Sequence, residues 1–215
     1  MVSSLMSTAE STTVELLIVP VFGSKDREEE VIKSLDSSSG GVIGRAWLSG
    51  EFKSKRHQIL QAELHGKGWG AQRVALIGTE ERDGSIPDRV RVAGAVGARL
   101  ARKLNIASIG FLCRGDAGNS ELVKAAVQGV GSGGFTDNRY RKFQENANQA
   151  RSCELVWSQQ CHEDLTESMR HGNAVARSVN VAREFANDPA NILTPAAFAE
   201  RAVTLCEQSG LRTEV

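Results

Sequence analysis

Aromatic side chains are scarce in this chain: seven Phe, three Trp and one Tyr among 215 residues. A core with so few rings must be filled by small and aliphatic groups. That disfavours a sandwich of aromatic-rich strands and favours helices packed closely on a sheet. An excess of charge is missing too, with 26 Lys+Arg against 26 Asp+Glu. Dedicated nucleic-acid and membrane-surface proteins carry a cationic surplus, so the balance argues against both. No apolar run approaches the roughly 20 residues needed to cross a bilayer. The four cysteines, Cys113, Cys153, Cys161 and Cys206, form no C-x-x-C pair. Their spacing outlines neither a disulfide framework nor a zinc knuckle, and reduced thiols in a cytoplasmic protein are the expectation. The opening MVSSLMSTAESTT has neither the basic start nor the apolar segment of a signal peptide. Residues 1–13 are therefore expected to form a disordered tail.

Glycine is abundant, at 21 residues, and 40% of the chain is hydrophobic, enough to bury a core in one large or two small domains. VELLIV, residues 14–19, is a short apolar run closed by Pro20 and reads as a buried strand. Residues 26–35 fit a short helix, and 42–48 fit strand or helix equally well. Leu60, Ala62 and Leu64 alternate with Gln61 and Glu63, the pattern of a half-exposed strand. VALIG (74–78), IASIGFLC (106–113) and CELVW (153–157) are further strands. Asp88 is expected to cap a helix over 89–104 with Ala93, Val96, Leu100 and Leu104 as its buried stripe. Asn119 or Ser120 starts the next helix, which the glycines at 129–134 should end. Leu165, Met169, Gly172, Ala176, Val179 and Ala182 keep helical spacing until Asn187-Asp188-Pro189 stops the helix. Thr194 then caps a last helix that Pro195 opens, with Phe198, Ala202 and Leu205 on its apolar side. Strands alternating with helices make an α/β domain with a mixed sheet.

Few residues suggest chemistry. Gly129-Val130-Gly131-Ser132-Gly133-Gly134 satisfies G-x-G-x-x-G, but it follows a helix rather than a strand, so a helix end is the better reading than a phosphate cradle. Cys161-His162-Glu163-Asp164 gathers four potential ligands, with His171 further on, yet adjacent residues point in different directions. A solvated helix start explains them as well. His57 and His65 flank a strand without partners. The basic side chains of 89–104 could meet phosphate, although charge along a helix is more often a solvated face. The sequence holds no G-x-S-x-G, H-E-x-x-H or Walker loop. Neither a catalytic residue nor a metal or cofactor ligand stands out.

The stretch from Val181 to Glu200, V-A-R-E-F-A-N-D-P-A-N-I-L-T-P-A-A-F-A-E, resembles the interdomain linker of the leucyl (cytosol) aminopeptidase family. Gly50–Lys55, Arg73–Gly78 and Phe135–Tyr140 resemble that family's amino-terminal domain, although Gly134-Phe135-Thr136-Asp137 replaces its G-x-Y-x-F-type turn. The resemblance implies a macro-domain-like α/β fold over residues 14–160, then linker helices and the start of a catalytic domain over 161–215. It marks Asn187, Asp188, Pro189, Asn191, Thr194 and Pro195 as linker residues. It further implies a parent metallopeptidase that releases N-terminal residues from peptides, using two divalent metals, Mn or Zn, held in a catalytic domain beyond this segment. Its partners would be that domain and further copies in a hexamer. A stand-alone macro-like module binding ADP-ribose or a nucleotide, served by glycines 40–44 and 129–134, is one alternative. A DNA-binding accessory domain is the other. Exposure of Phe198 and Leu205 separates a linker from an ordinary corner inside one domain, where both would be buried against residues before 160.

Overall fold

The computed structural model describes residues 6–8, 12–65, 68–80, 84–114, 119–137, 139–140, 152–157 and 164–214. Its centre is β2 (Leu16–Val21), buried at every position because helices cover both faces. Leu16 and Ile18 face one hydrophobic core, while Leu17, Val19 and Val21 face the other. The remaining strands are β1 (Met6–Thr8), β3 (Ile59–Glu63), β4 (Arg73–Gly78), β5 (Ser108–Cys113) and β6 (Ser152–Trp157). They form one sheet in the order β1-β6-β5-β2-β4-β3. Only β3 runs antiparallel to its neighbour, so the sheet is mixed.

One face carries α1 (Glu30–Ser38) and α2 (Val42–Leu48), whose Ile32, Leu35, Ile43 and Ala46 pack with Phe52 and Trp69. The ambiguous segment 42–48 is thus a helix, entered through two left-handed glycines, Gly40 and Gly41. The other face carries α3 (Ile86–Lys103), α4 (Ser120–Gly133) and the first half of α5 (Thr166–Asn187). α6 (Pro195–Gln208) follows α5. The result is the expected α/β architecture, a mixed sheet between helical layers.

Five local expectations need correction. Residues 6–8 of the supposed tail form β1, and Thr12 is buried with its hydroxyl donating to the Glu154 carboxylate at 3.0 Å. An open parallel edge on β6 offers backbone groups that need partners, and β1 supplies them. β2 continues through Pro20 to Val21: its ladder with β4 reaches Gly78, whereas that with β5 stops at Ile18↔Phe111. α3 is capped by Ser85, not Asp88. Its hydroxyl accepts from the Asp88 amide at 3.3 Å, and Pro87 fits the first turn, where amides lack helical partners. Leu104, at the end of the expected stripe, is 38% exposed.

The fifth correction concerns the glycines of α4. They do not end the helix; it runs through Gly129 and Gly131 to Gly133. A Cβ on Gly129 would stand 2.2 Å from the Arg91 carbonyl oxygen, and one on Gly133 would stand 2.4 Å from that of Ala95. The two helices meet backbone to backbone, which only glycine permits. With its amides inside a helix, the G-x-G-x-x-G segment is no phosphate-cradling loop.

Candidate functional site

Two polar clusters stand out. The first fills the crevice between the carboxyl ends of β2 and β5, where the strand order reverses and where open α/β sheets usually take their ligands. Arg114, immediately after β5, enters it with its side chain only 3% exposed. Its guanidinium bonds the Pro20 carbonyl, the Asp26 carboxylate at 2.8 Å and the Glu29 carboxylate at 2.6 Å. The Arg114 and Arg89 guanidinium groups both approach the Phe22 ring, 5.5 and 5.3 Å from its centre. Arg89 in turn donates to the carbonyls of Thr79 and Phe22. Proline explains the arrangement: Pro20 has no amide to donate, the β2–β5 ladder ends, and an arginine occupies the gap. Two carboxylates more than offset its charge, and Arg89 at the same ring is the second cation of the cluster.

The second cluster surrounds the end of α5. Asn187 is its last residue, and Asp188 has extended backbone because Pro189 follows. The Pro189 carbonyl accepts from the Ile192 and Leu193 amides at 2.8 and 2.9 Å, which turns the chain. Thr194 caps α6, its hydroxyl accepting from the Ala197 amide at 3.3 Å, and Pro195 opens the first turn. Asn191 is exposed at the tip. The backbone punctuation is as expected.

The side-chain partners were not visible in the pattern. The Asp188 carboxylate is fully enclosed. It pairs with Arg139 at 3.0 Å and with Arg201 of α6, and it accepts from the Tyr140 hydroxyl at 2.9 Å. Arg139 also pairs with Asp137 at 2.6 Å and donates to the Glu184 carbonyl in the last turn of α5 at 3.1 Å. Hydrogen bonds from Arg201 and Tyr140, with the Arg139 charge, hold the Asp188 carboxyl below its ordinary range against the opposing effect of burial. Asp137 is lowered to about 2, chiefly by its Arg139 bond. Donation to Asp188 raises the Tyr140 phenol. Asp137, Arg139 and Tyr140 and the linker, read separately in sequence, are thus one cluster in space.

Beyond the apolar packing of its first half, α5 meets the end of α4 through contacts of the same kind. Asn180 donates to the Gly131 carbonyl at 3.0 Å and Arg183 to that of Ser132 at 2.6 Å, so polar side chains of α5 satisfy the end of α4. α5 buries Met169, Gly172 and Ala176, but Val179 is 38% exposed and Ala182 is open to solvent. α6 has no buried residue at all. Phe198 is 49% exposed and tilts against Phe185 with ring centres 5.4 Å apart, while Leu205 is half-buried.

The other candidates, where described, form no reactive centre. Cys161, His162 and Glu163 lie outside the described residues, and Asp164 accepts from the Thr166 amide at the start of α5. His57 and His171 are exposed. Burial pushes the Cys153 thiol up to about 12, which leaves it protonated and a poor nucleophile at neutral pH. On α3, Arg91 pairs with Asp88 and Arg102 donates to the Phe135 carbonyl, so much of its basic character is used internally. Among the described residues no group of three or more His, Cys, Asp or Glu is placed to hold a metal ion. No helix among them is long and apolar enough to cross a membrane.

The profile of the cytosol aminopeptidase family, N-terminal domain, matches residues 18–144, more than half of the chain. The chain belongs to this family. A probable cytosol aminopeptidase of Nitratidesulfovibrio vulgaris is 31% identical over 213 residues, covering 92% of this chain and 41% of the relative. Leucine aminopeptidase 2, chloroplastic, of Arabidopsis thaliana is 28% identical over 183 residues, with 83% and 30% covered. The chain therefore spans about two fifths or less of these relatives. A solved tomato leucine aminopeptidase mutant superimposes with a TM-score of 0.77 at 21% identity, over 97% of this chain and 43% of that one. That likeness establishes a shared fold: this chain has the architecture of an aminopeptidase amino-terminal domain.

Proposed function

We propose that the chain is the non-catalytic amino-terminal part of a cytoplasmic leucyl-aminopeptidase-type metallopeptidase, and that it positions the catalytic domain and serves oligomer assembly. The observation that carries this reading is the family match to an N-terminal domain in a chain spanning about two fifths of the first relative's length. The exposed apolar side chains of its last quarter support it: Phe198, Ile192 at 40% and Leu211 at 62% suit a surface awaiting further protein. Residues 14–160, with β1 before them and the buried first half of α5 after them, form the macro-like domain, and the rest of 161–215 carries the linker, with Asn187, Asp188, Pro189, Asn191, Thr194 and Pro195 setting its bend. In the parent protein, two divalent metals, Mn²⁺ or Zn²⁺, would polarise the peptide carbonyl and supply the attacking hydroxide from a separate domain. The family's hexamer would be the assembled form.

Among the described residues none fit such a metal pair. The enclosed acids, Asp26, Asp137 and Asp188, are each bound to arginine, which competes for the oxygens a metal would need. Purified 1–215 supplied with Mn²⁺ or Zn²⁺ should leave leucine amide intact. Measurable turnover would overturn the reading. So would an intact mass of the native protein equal to the 23.2 kDa of this chain.

A further inference from the structure

α6 is ordered in an unusual setting. It is 14 residues long and buries none of them. Helices shorter than about 12–15 residues are marginal on their own in water, so something outside α6 must hold it. Its attachments lie in the first two turns. Phe198 rests on Phe185, Arg201 lies 5.9 Å from the same ring, and the Arg201 guanidinium binds Asp188.

Asp188 is a surprising residue at that place. A carboxylate at a helix C-terminus opposes the helix dipole, and a fully enclosed one also loses its hydration. Both costs are offset by partners from three directions. Arg139 and Tyr140 come from the segment after α4, and Arg201 comes from α6. Asp137 shares Arg139, so two acids and two arginines face one another and the charges balance. Arg139 donates to the Glu184 carbonyl of α5, which Asp188 would otherwise repel. Pro189 holds the Asp188 backbone extended, so the carboxylate is presented by a segment with little freedom.

We infer that Asp188 is a latch: its carboxylate ties α6 to the end of α5, and neutralising this one side chain releases α6 while the six-stranded layer stays folded. The inference goes beyond the proposed function, because it holds whether or not a peptidase domain follows.

Hydrogen exchange read by mass spectrometry on the 215-residue chain tests it. In the parent chain, amides of 198–208 should be measurably protected. Asp188→Asn, nearly the same in shape, should speed their exchange at least tenfold and leave β2, β4, β5 and α4 unchanged. Arg201→Met keeps Asp188 with Arg139 and Tyr140 and removes only the α6 side, so it should give the same restricted release. Unchanged α6 exchange in either variant would overturn the latch. Loss of sheet protection together with α6 would do so as well, as would an α6 already unprotected in the parent chain.

Discussion

α4 and α6 are both 14 residues long, and they are held in opposite ways. α4 buries seven residues, among them Val123, Val127 and Val130, and presses its Gly129 and Gly133 against the backbone of α3. α6 fully buries none and is held through the Asp188 carboxylate and the Phe185 ring, which meets both Phe198 and Arg201. The difference separates two kinds of order. α4 is stabilised by close packing, which falls off steeply with distance and fails only when the layer fails. α6 is stabilised by a few directional contacts, which a single substitution can remove. A helix of the second kind leaves most of its surface open.

The largest effect should come from the polar cluster inside the packed part. Arg114→Met would leave Asp26 enclosed without its cation, and breaking such a pair costs about 3–5 kcal/mol. Chemical denaturation should show the whole layer weakened, α4 included; a loss confined to α6 would reverse the comparison. Gly129→Ala comes next. Its methyl group would push against the Arg91 carbonyl, and crowding of that kind costs about 1–3 kcal/mol despite alanine's better helix propensity. A stabilised variant in thermal melting would mean that the α3–α4 approach is looser than described.

Acid should act on α6 before neutral-range changes do. Asp137 has a folded value near 2 against an ordinary 3.8, and Asp188 is lowered too. A depressed value contributes stability that is fully present above the unfolded value and lost as pH falls through the folded one. Protection of α6, corrected for intrinsic exchange, should therefore persist at pH 5 and decline between roughly pH 4 and 2. A midpoint near pH 6 would point to a histidine instead. Phe198→Ser should change global stability by less than about 0.5 kcal/mol, since the ring is half-exposed. A substantial drop would mean that α6 belongs to the core. Smallest of all is the heat of titration with ADP-ribose. With the switch-point crevice filled by Arg114 and the glycine segment helical, no saturable binding is expected up to about 1 mM. A micromolar affinity would restore the nucleotide-binding alternative.

What the sequence revealed were features written in local chemistry. Alternation in 60–64 marked β3, the run at 14–19 marked β2, and Pro189, Thr194 and Pro195 placed both ends of the elbow. The hidden features were those decided by distant partners. β1 pairs through backbone groups that leave no side-chain pattern. Gly129 and Gly133 read as helix breakers because their need for closeness comes from α3, 38 residues earlier. Pro20 read as the end of a strand because the arginine that completes the gap, Arg114, lies 94 residues away. Asp188 was singled out as a linker residue, yet its partners Arg139, Tyr140 and Arg201 share no spacing that would have named them.

The contrast between the two helices is tested most directly by native-state hydrogen exchange of the parent chain across low concentrations of denaturant. Amides of α4 should exchange only through unfolding of the whole layer, with a steep dependence on denaturant. Those of α6 should open at a clearly lower free energy with little dependence, the mark of a local event. If α4 and α6 instead exchange together, at one free energy and with one slope, α6 is part of the core and the account of it as a latched, outward-facing junction is wrong.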